Sequence, residues 1–156
     1  MRNKLTGKCL LAYVAGIMDG EGSVTIGKAH SKKTRIGYRF VMYVTVRNTN
    51  EWLIHWLYFN FGGNVGMSND NGHKRFGSKP IWYWQATSRV AMKFLKSILP
   101  YLQMKREQAE VAIQFQERKA HRGTTGNKRL RSNDEWAWQE AQHILIQSRN
   151  KGKVEE

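Results

Sequence analysis

The chain opens on an apolar run. From Cys9 to Gly20 nearly every position is hydrophobic or small, and Gly20 and Gly22 close the stretch, which predicts a buried helix of about three turns. Ser23 to His30 then alternates, with Val24 and Ile26 on one face and Thr25 and Gly27 on the other. The polar stretch Ser31 to Gly37 reads as a hairpin loop. Alternation resumes from Tyr38 to Arg47: Phe40, Met42, Val44 and Val46 form a core face, and Arg39, Val41, Tyr43, Thr45 and Arg47 point the other way. Asn48 to Glu51 offers helix caps to Trp52–Phe61, which Gly62 and Gly63 terminate. A short strand over Asn64–Asn69, a Gly- and Asn-rich basic loop to Lys79, and a strand over Pro80–Thr87 follow. Ser88 reads as the cap of a helix through Ile98, broken at Pro100. A charged helix over Gln103–Ala120, a basic loop over His121–Arg131 and an amphipathic helix over Asn133–Arg149 complete the pattern.

The order α-β-β-α-β-β-α-α-α predicts an α+β domain: one four-stranded antiparallel sheet with helices on one face. The opposite face is left open and carries the polar and basic set. A single domain over 1–150 is expected, with 151–156 a disordered tail.

Charge then narrows the partners. Lys and Arg number 26 against 12 acids, a net charge of +14 that fits a polyanion, with nucleic acid first among them. A membrane partner is disfavoured, since no basic amphipathic helix carries an apolar anchor, and the Cys9–Met18 stretch is too short to span a bilayer. One cysteine excludes an internal disulfide framework and a Cys-based zinc finger. His30, His55, His73, His121 and His143 lack metal-ligand spacing. The chain reads as soluble and intracellular.

Two features of the first helix call for a physical account. Ala12, Gly16 and Gly20 recur at four-residue spacing, with Ala15 beside them, so one small-residue stripe runs along the helix. Such a stripe suits packing on the chain's own sheet or close approach of a second copy of the helix. Asp19 and Glu21 fall at the helix C-terminus, where the macrodipole disfavours negative charge. A divalent cation would answer two acids among glycines; so would a turn in which Asp19 accepts from backbone amides.

The stretch Val14 to Gly22 (VAGIMDGEG), followed by Ser23 and Val24 just before a hairpin, resembles the signature of the LAGLIDADG homing endonucleases. Asn48 to Asn50 with Leu53 and Gly62–Gly63 is similar to the family's second-strand exit and middle helix. Leu99 to Leu102 with Lys105 and Gln108 is similar to its helix junction. The resemblance implies a single-motif member that works as a homodimer, with Ala12, Ala15, Gly16, Asp19 and Gly20 at the helix–helix interface. It implies a saddle-shaped sheet set in the major groove of a long, partly palindromic double-stranded DNA site. Glu21 matches the catalytic, metal-binding acid, where Asp is commoner, and Gly22 contributes a carbonyl near the metal. Asp19 matches an acid that is structural in the family. Mg²⁺, with Mn²⁺ as a substitute, would support cleavage leaving 3′ overhangs. Lys105 matches a lysine near the cleavage site, though a helix-surface lysine would look the same. Asn48, or Arg47 one position away, matches a residue bordering the catalytic water pocket; helix capping and strand-end roles remain open for both.

For DNA contact the outward set supplies Thr25, Arg39, Tyr43, Thr45 and Arg47 toward base edges. Lys28, Lys32, Lys33, Arg35, Lys74, Arg75 and Lys79 cluster around the hairpin loops and suit phosphates. Three function classes stay in play: a site-specific endonuclease, an intron maturase on the same fold, and a non-cleaving DNA-binding regulator. Glu21 separates the first from the last, because an acid in the groove centre would only repel phosphate in a pure binder.

Overall fold

Alternating apolar residues assemble into a four-stranded antiparallel sheet of order β1-β2-β4-β3. The computed structural model describes residues 6–34, 36–68, 79–123 and 133–151, with the backbone alone at 120–123. Its elements are α1 (Gly7–Glu21), β1 (Gly22–His30), β2 (Tyr38–Asn48), α2 (Glu51–Phe61), β3 (Asn64–Ser68), β4 (Ile81–Thr87), α3 (Ser88–Ile98), a 3-10 turn at Leu99–Tyr101, α4 (Arg106–Gly123) and α5 (Asn133–Asn150). The α+β class, element order and antiparallel sheet are those the pattern predicts. The segments 69–78 and 124–132, and the tail residues 152–156, lie outside the described residues.

The core lies on one side of the sheet. Val24, Ile26, Phe40, Met42, Val44 and Val46 are buried there with Trp84 and Ala86 of β4. Val14 and Met18 of α1, Ile54 and Leu57 of α2, Phe94, Leu95 and Ile98 of α3, Phe115 of α4 and Ile146 of α5 join the same cluster. Trp84 is fully buried, packs edge-on to Phe94 at 4.9 Å, and donates its indole N–H to the Gly62 carbonyl at 2.7 Å. That bond satisfies both the ring nitrogen and a carbonyl left free at the end of α2. Gly63 turns the chain out of α2 with φ +95°, and a Cβ there would lie 2.6 Å from the Gln85 carbonyl oxygen. Glycine is therefore required on both counts. Among the described residues no helix is long and apolar enough to cross a membrane.

Several boundaries shift by a few residues from the sequence expectation, and two of the departures have a clear local reason. Ser88 does not cap α3 with its side chain; β4 runs straight into the helix and Ser88 turns the corner with φ +50°. The fourth helix starts at Arg106 rather than Gln103, because the N–H groups of Gln103, Met104 and Lys105 turn to the Asp19 carboxylate.

The last helix lies along the β1 edge. Asn150 donates to the Val24 carbonyl at 3.0 Å and the His143 ring to that of Ile26. Gln147 reaches the Thr25 hydroxyl at 3.1 Å, and Glu140 pairs with Lys28 at 3.2 Å. An edge strand that would otherwise present free carbonyls is thereby covered.

Candidate acidic centre and nucleic-acid interface

The centre forms where three chain segments meet: the end of α1, the end of β2 and the entry to α4. Helix α1 passes into β1 without a loop, and Gly22, extended at φ −82° and ψ 163°, donates its N–H to the Met18 carbonyl. A Cβ on Gly22 would lie 2.5 Å from the Met18 side chain and 2.8 Å from its carbonyl oxygen. Glycine here allows the helix end to fold tightly onto itself, which sets Glu21 at the rim of the sheet.

The two acids of the motif have different partners. Asp19 accepts from Gln103 N at 2.8 Å through Oδ2, and from Met104 N at 3.2 Å and Lys105 N at 2.9 Å through Oδ1. Its carboxylate thus serves the N–H groups at the α4 entry, as a cap does, which answers the unfavourable dipole of α1. The Lys105 ammonium donates to the Asp19 carbonyl, placing a positive charge at the carbonyl end of α1. Glu21 stays exposed and accepts from Asn48 Nδ2. The Asn48 Oδ1 in turn accepts from Asn50 N at 2.7 Å, which fixes which end of the amide faces Glu21. Asn50 accepts from Leu53 N at 3.4 Å and caps α2. Two sets of contacts therefore meet the end of α1: Asn48 on Glu21, and Lys105 on Asp19.

The donor chemistry fits a hard cation, since a carboxylate and a backbone carbonyl supply oxygen ligands. Among the described residues no group of three or more His, Cys, Asp or Glu side chains could hold a metal ion. Glu21 is the exposed carboxylate at this centre, so a cation held there would need further ligands from water, phosphate or a second copy.

Strand register defines the face opposite the core. Thr25, Arg39, Tyr43, Thr45 and Arg47 lie on it as expected from their phase. Val41 shares that phase but is only 6% exposed. The second hairpin adds residues that sequence reasoning missed: Tyr83, Gln85 and Thr87 on β4, with Asn64 and Ser68 on β3. Gln85 donates to the Thr45 hydroxyl at 3.2 Å, joining the two hairpins across the sheet centre. The alternation Trp82–Tyr83–Trp84–Gln85 was the available signal. Lys32, Lys33 and Lys79 are exposed, while Arg35, Lys74 and Arg75 lie outside the described residues.

Lys28 corrects the sequence reading. It has the phase of Val24 and Ile26, pairs in register with Phe40, and lies on the helix side of the sheet. Its ammonium bonds Glu140 and lies 4.8 Å from the centre of the Tyr38 ring. The Glu140 carboxylate raises its pKa above the ordinary lysine value, with a smaller aid from Tyr38 against desolvation. It is thus engaged away from the open face.

On α1 the small-residue stripe is open. Ala12, Gly16 and Gly20 are exposed, and a Cβ on Gly16 or Gly20 would meet nothing within 4 Å. Two residues assigned to the same interface turn inward. Ala15 is fully buried in its own core, because one step along a helix rotates a side chain by about 100°. The Asp19 carboxylate is taken up at the α4 entry.

No family model matches the chain, and no curated protein matches it. Solved structures do. The homing endonuclease I-CvuI, in complex with a DNA target, aligns with a TM-score of 0.73 at 18% identity, over 94% of this chain and 85% of its own. The homing endonuclease I-TnaI aligns with a TM-score of 0.61 at 15% identity, over 97% of this chain and 98% of its own. The LAGLIDADG homing endonuclease I-SmaMI, bound to cleaved DNA, aligns with a TM-score of 0.61 at 14% identity, over 99% of this chain and 49% of its own. At these identities the likeness establishes architecture: the chain has the fold of the LAGLIDADG homing endonucleases.

Proposed function

We propose that this protein is a site-specific, metal-dependent DNA endonuclease that works as a homodimer on a long, partly palindromic duplex. The observation that carries the reading is the Glu21 carboxylate. It is exposed, oriented by Asn48, and set at the rim of a sheet in a chain of net charge +14. An acid in that position opposes DNA binding unless it serves a cation. The solved neighbours add support, since I-CvuI and I-SmaMI are described in complex with DNA, I-CvuI in the presence of Mg or Ca.

In this reading two copies meet along Ala12, Gly16 and Gly20, which brings two Glu21 residues near the two-fold axis, one for each strand. The outer faces of the two sheets follow the major groove. Glu21 and the Gly22 carbonyl would hold Mg²⁺ or Mn²⁺ together with phosphate oxygens and water. Such a cation, when bound, polarises the scissile phosphate and lowers the pKa of an attacking water. Asn48 keeps the Glu21 carboxylate turned toward the DNA. Lys105 supplies positive charge beside the reacting phosphate, anchored on the Asp19 carbonyl. Cutting staggered across the minor groove leaves 3′ overhangs.

The test is cleavage. Duplexes enriched from a randomised pool are placed in a supercoiled plasmid, which should be linearised with Mg²⁺ and left intact with EDTA. A protein that binds such a duplex tightly yet never cuts it, with Mg²⁺ or Mn²⁺, would be a DNA-binding regulator and the endonuclease reading would fall.

A further inference from the structure

Two tyrosines lie across glycines on the open face of the sheet. A Cβ built on Gly66 of β3 would stand 2.5 Å from Cζ and Oη of Tyr83 and 2.9 Å from its Cε1. One built on Gly27 of β1 would stand 3.0 Å from Cε2 of Tyr43 and 3.3 Å from its Cδ2. Neither glycine has a positive φ, so the backbone does not demand glycine at either position. The rings do. Tyr83 is directly opposite Gly66 in register, and Tyr43 lies diagonal to Gly27, which pairs with Val41. In both hairpins the tyrosine is on the inner strand and the glycine on the edge strand, so the same device occurs on each side of the sheet.

A missing side chain under each ring lets the ring lie down on the backbone. A tyrosine standing off the sheet would hold the whole face away from a ligand. Lying flat it adds little more than its own thickness and offers an apolar plane with one hydroxyl at the rim. Polar neighbours surround each plane: Arg47 is opposite Tyr83, and Tyr43 lies between Thr25 and Thr87. In the major groove the one apolar feature of the base-pair code is the thymine C5-methyl.

We propose that Tyr83 and Tyr43 are specificity-determining residues whose ring faces, held flat by Gly66 and Gly27, meet thymine methyl groups at two base pairs of each half-site. The inference rests on the DNA-binding reading above. Alanine at position 66 should be tolerated by the fold, because the atoms it displaces are the free end of a partly exposed side chain. Its effect is to lift the ring.

The experiment selects duplexes from a randomised pool with the full chain and with Tyr83→Ala, Gly66→Ala and Gly27→Ala. The wild-type winner is then titrated with deoxyuridine replacing each thymine in turn. Removing a methyl that a ring covers should weaken wild-type binding about fourfold. The same replacement should cost nothing in Tyr83→Ala or Gly66→Ala, and both variants should lose the thymine preference at that one symmetric pair of positions. Melting curves check that Gly66→Ala is folded; if it is not, Tyr83→Ala carries the test alone. A wild-type protein that selects a sequence but is indifferent to every methyl overturns the inference and leaves DNA reading intact. So does Tyr83→Ala selecting the same bases. A wild-type protein that enriches no sequence removes the DNA-reading premise and the inference together.

Discussion

Asp19 and Glu21 carry the same charge at the same helix end, yet they answer to different parts of the molecule. On one side of the α1 terminus the entry to α4 presents three backbone N–H groups, and Asp19 accepts from all of them. On the other side the end of β2 presents one side-chain amide, and Glu21 accepts from it while remaining exposed. A carboxylate surrounded by donors of its own chain holds the fold together; one with a single donor is left with lone pairs for an outside cation. The lysines repeat the contrast, since Lys28 is engaged by Glu140 on the helix side and Lys33 is exposed in the hairpin turn.

Substitutions at Glu21, Asp19, Ala15, Gly16, Lys33 and Lys28 test that division between inward and outward groups. Glu21→Gln should abolish plasmid linearisation while binding persists or tightens, and its stability should stay within about 0.5 kcal/mol of wild type. Wild-type cutting rates for this variant would show that the free carboxylate is not the working one. Asp19→Ala should do the reverse, losing about 1.5–3 kcal/mol in urea unfolding because charge-assisted bonds to three N–H groups disappear. Along α1, Ala15→Leu should overpack the core and cost about 1–3 kcal/mol, whereas Gly16→Leu should leave the subunit folded and shift sedimentation from dimer to monomer. If both variants sediment as dimers, the outward stripe is not the interface. Lys33→Ala should flatten the salt dependence of DNA binding by about one unit of slope, and Lys28→Ala should leave the slope unchanged. The smallest effect is expected at the β4–α3 corner: Ser88→Gly should stabilise by about 1 kcal/mol, read as a raised melting temperature, because glycine carries a positive φ without a Cβ penalty.

Periodicity made most of the architecture legible. The phases of β1 and β2 placed Val24, Ile26, Phe40, Met42, Val44 and Val46 inside and Arg39, Tyr43, Thr45 and Arg47 outside, because alternation encodes which side of a sheet is dry; Val41 has the outward phase yet is buried. Lys28 shares the inward phase, and its charge and its place near the hairpin loop suggested a phosphate contact. No local pattern could have supplied its true partner, since Glu140 lies 112 residues further along the chain. Distance along the chain also hid the role of Asp19, whose donors are 84 to 86 residues away. Only motif resemblance pointed to Asn48 and Lys105 beside the end of α1, as no periodic signal links a helix end to a strand end and a distant loop. Ala15 shows how fine the helical phase is: one position from Gly16, it belongs to the core. The outward phase of Tyr83 went unread because the open-face set was drawn from the first hairpin alone.

The strap of α5 across β1 has a consequence for how the protein is made. The bonds from Asn150 to Val24, His143 to Ile26 and Glu140 to Lys28 join residues 126, 117 and 112 apart. A nascent chain emerging from the ribosome completes its first hairpin long before the helix that covers the edge has been synthesised, a delay on the order of 5–20 s at ordinary translation rates. Throughout that interval the carbonyls of β1 are open to any passing strand. The first hairpin therefore gives a cotranslational chaperone an open strand edge to shield.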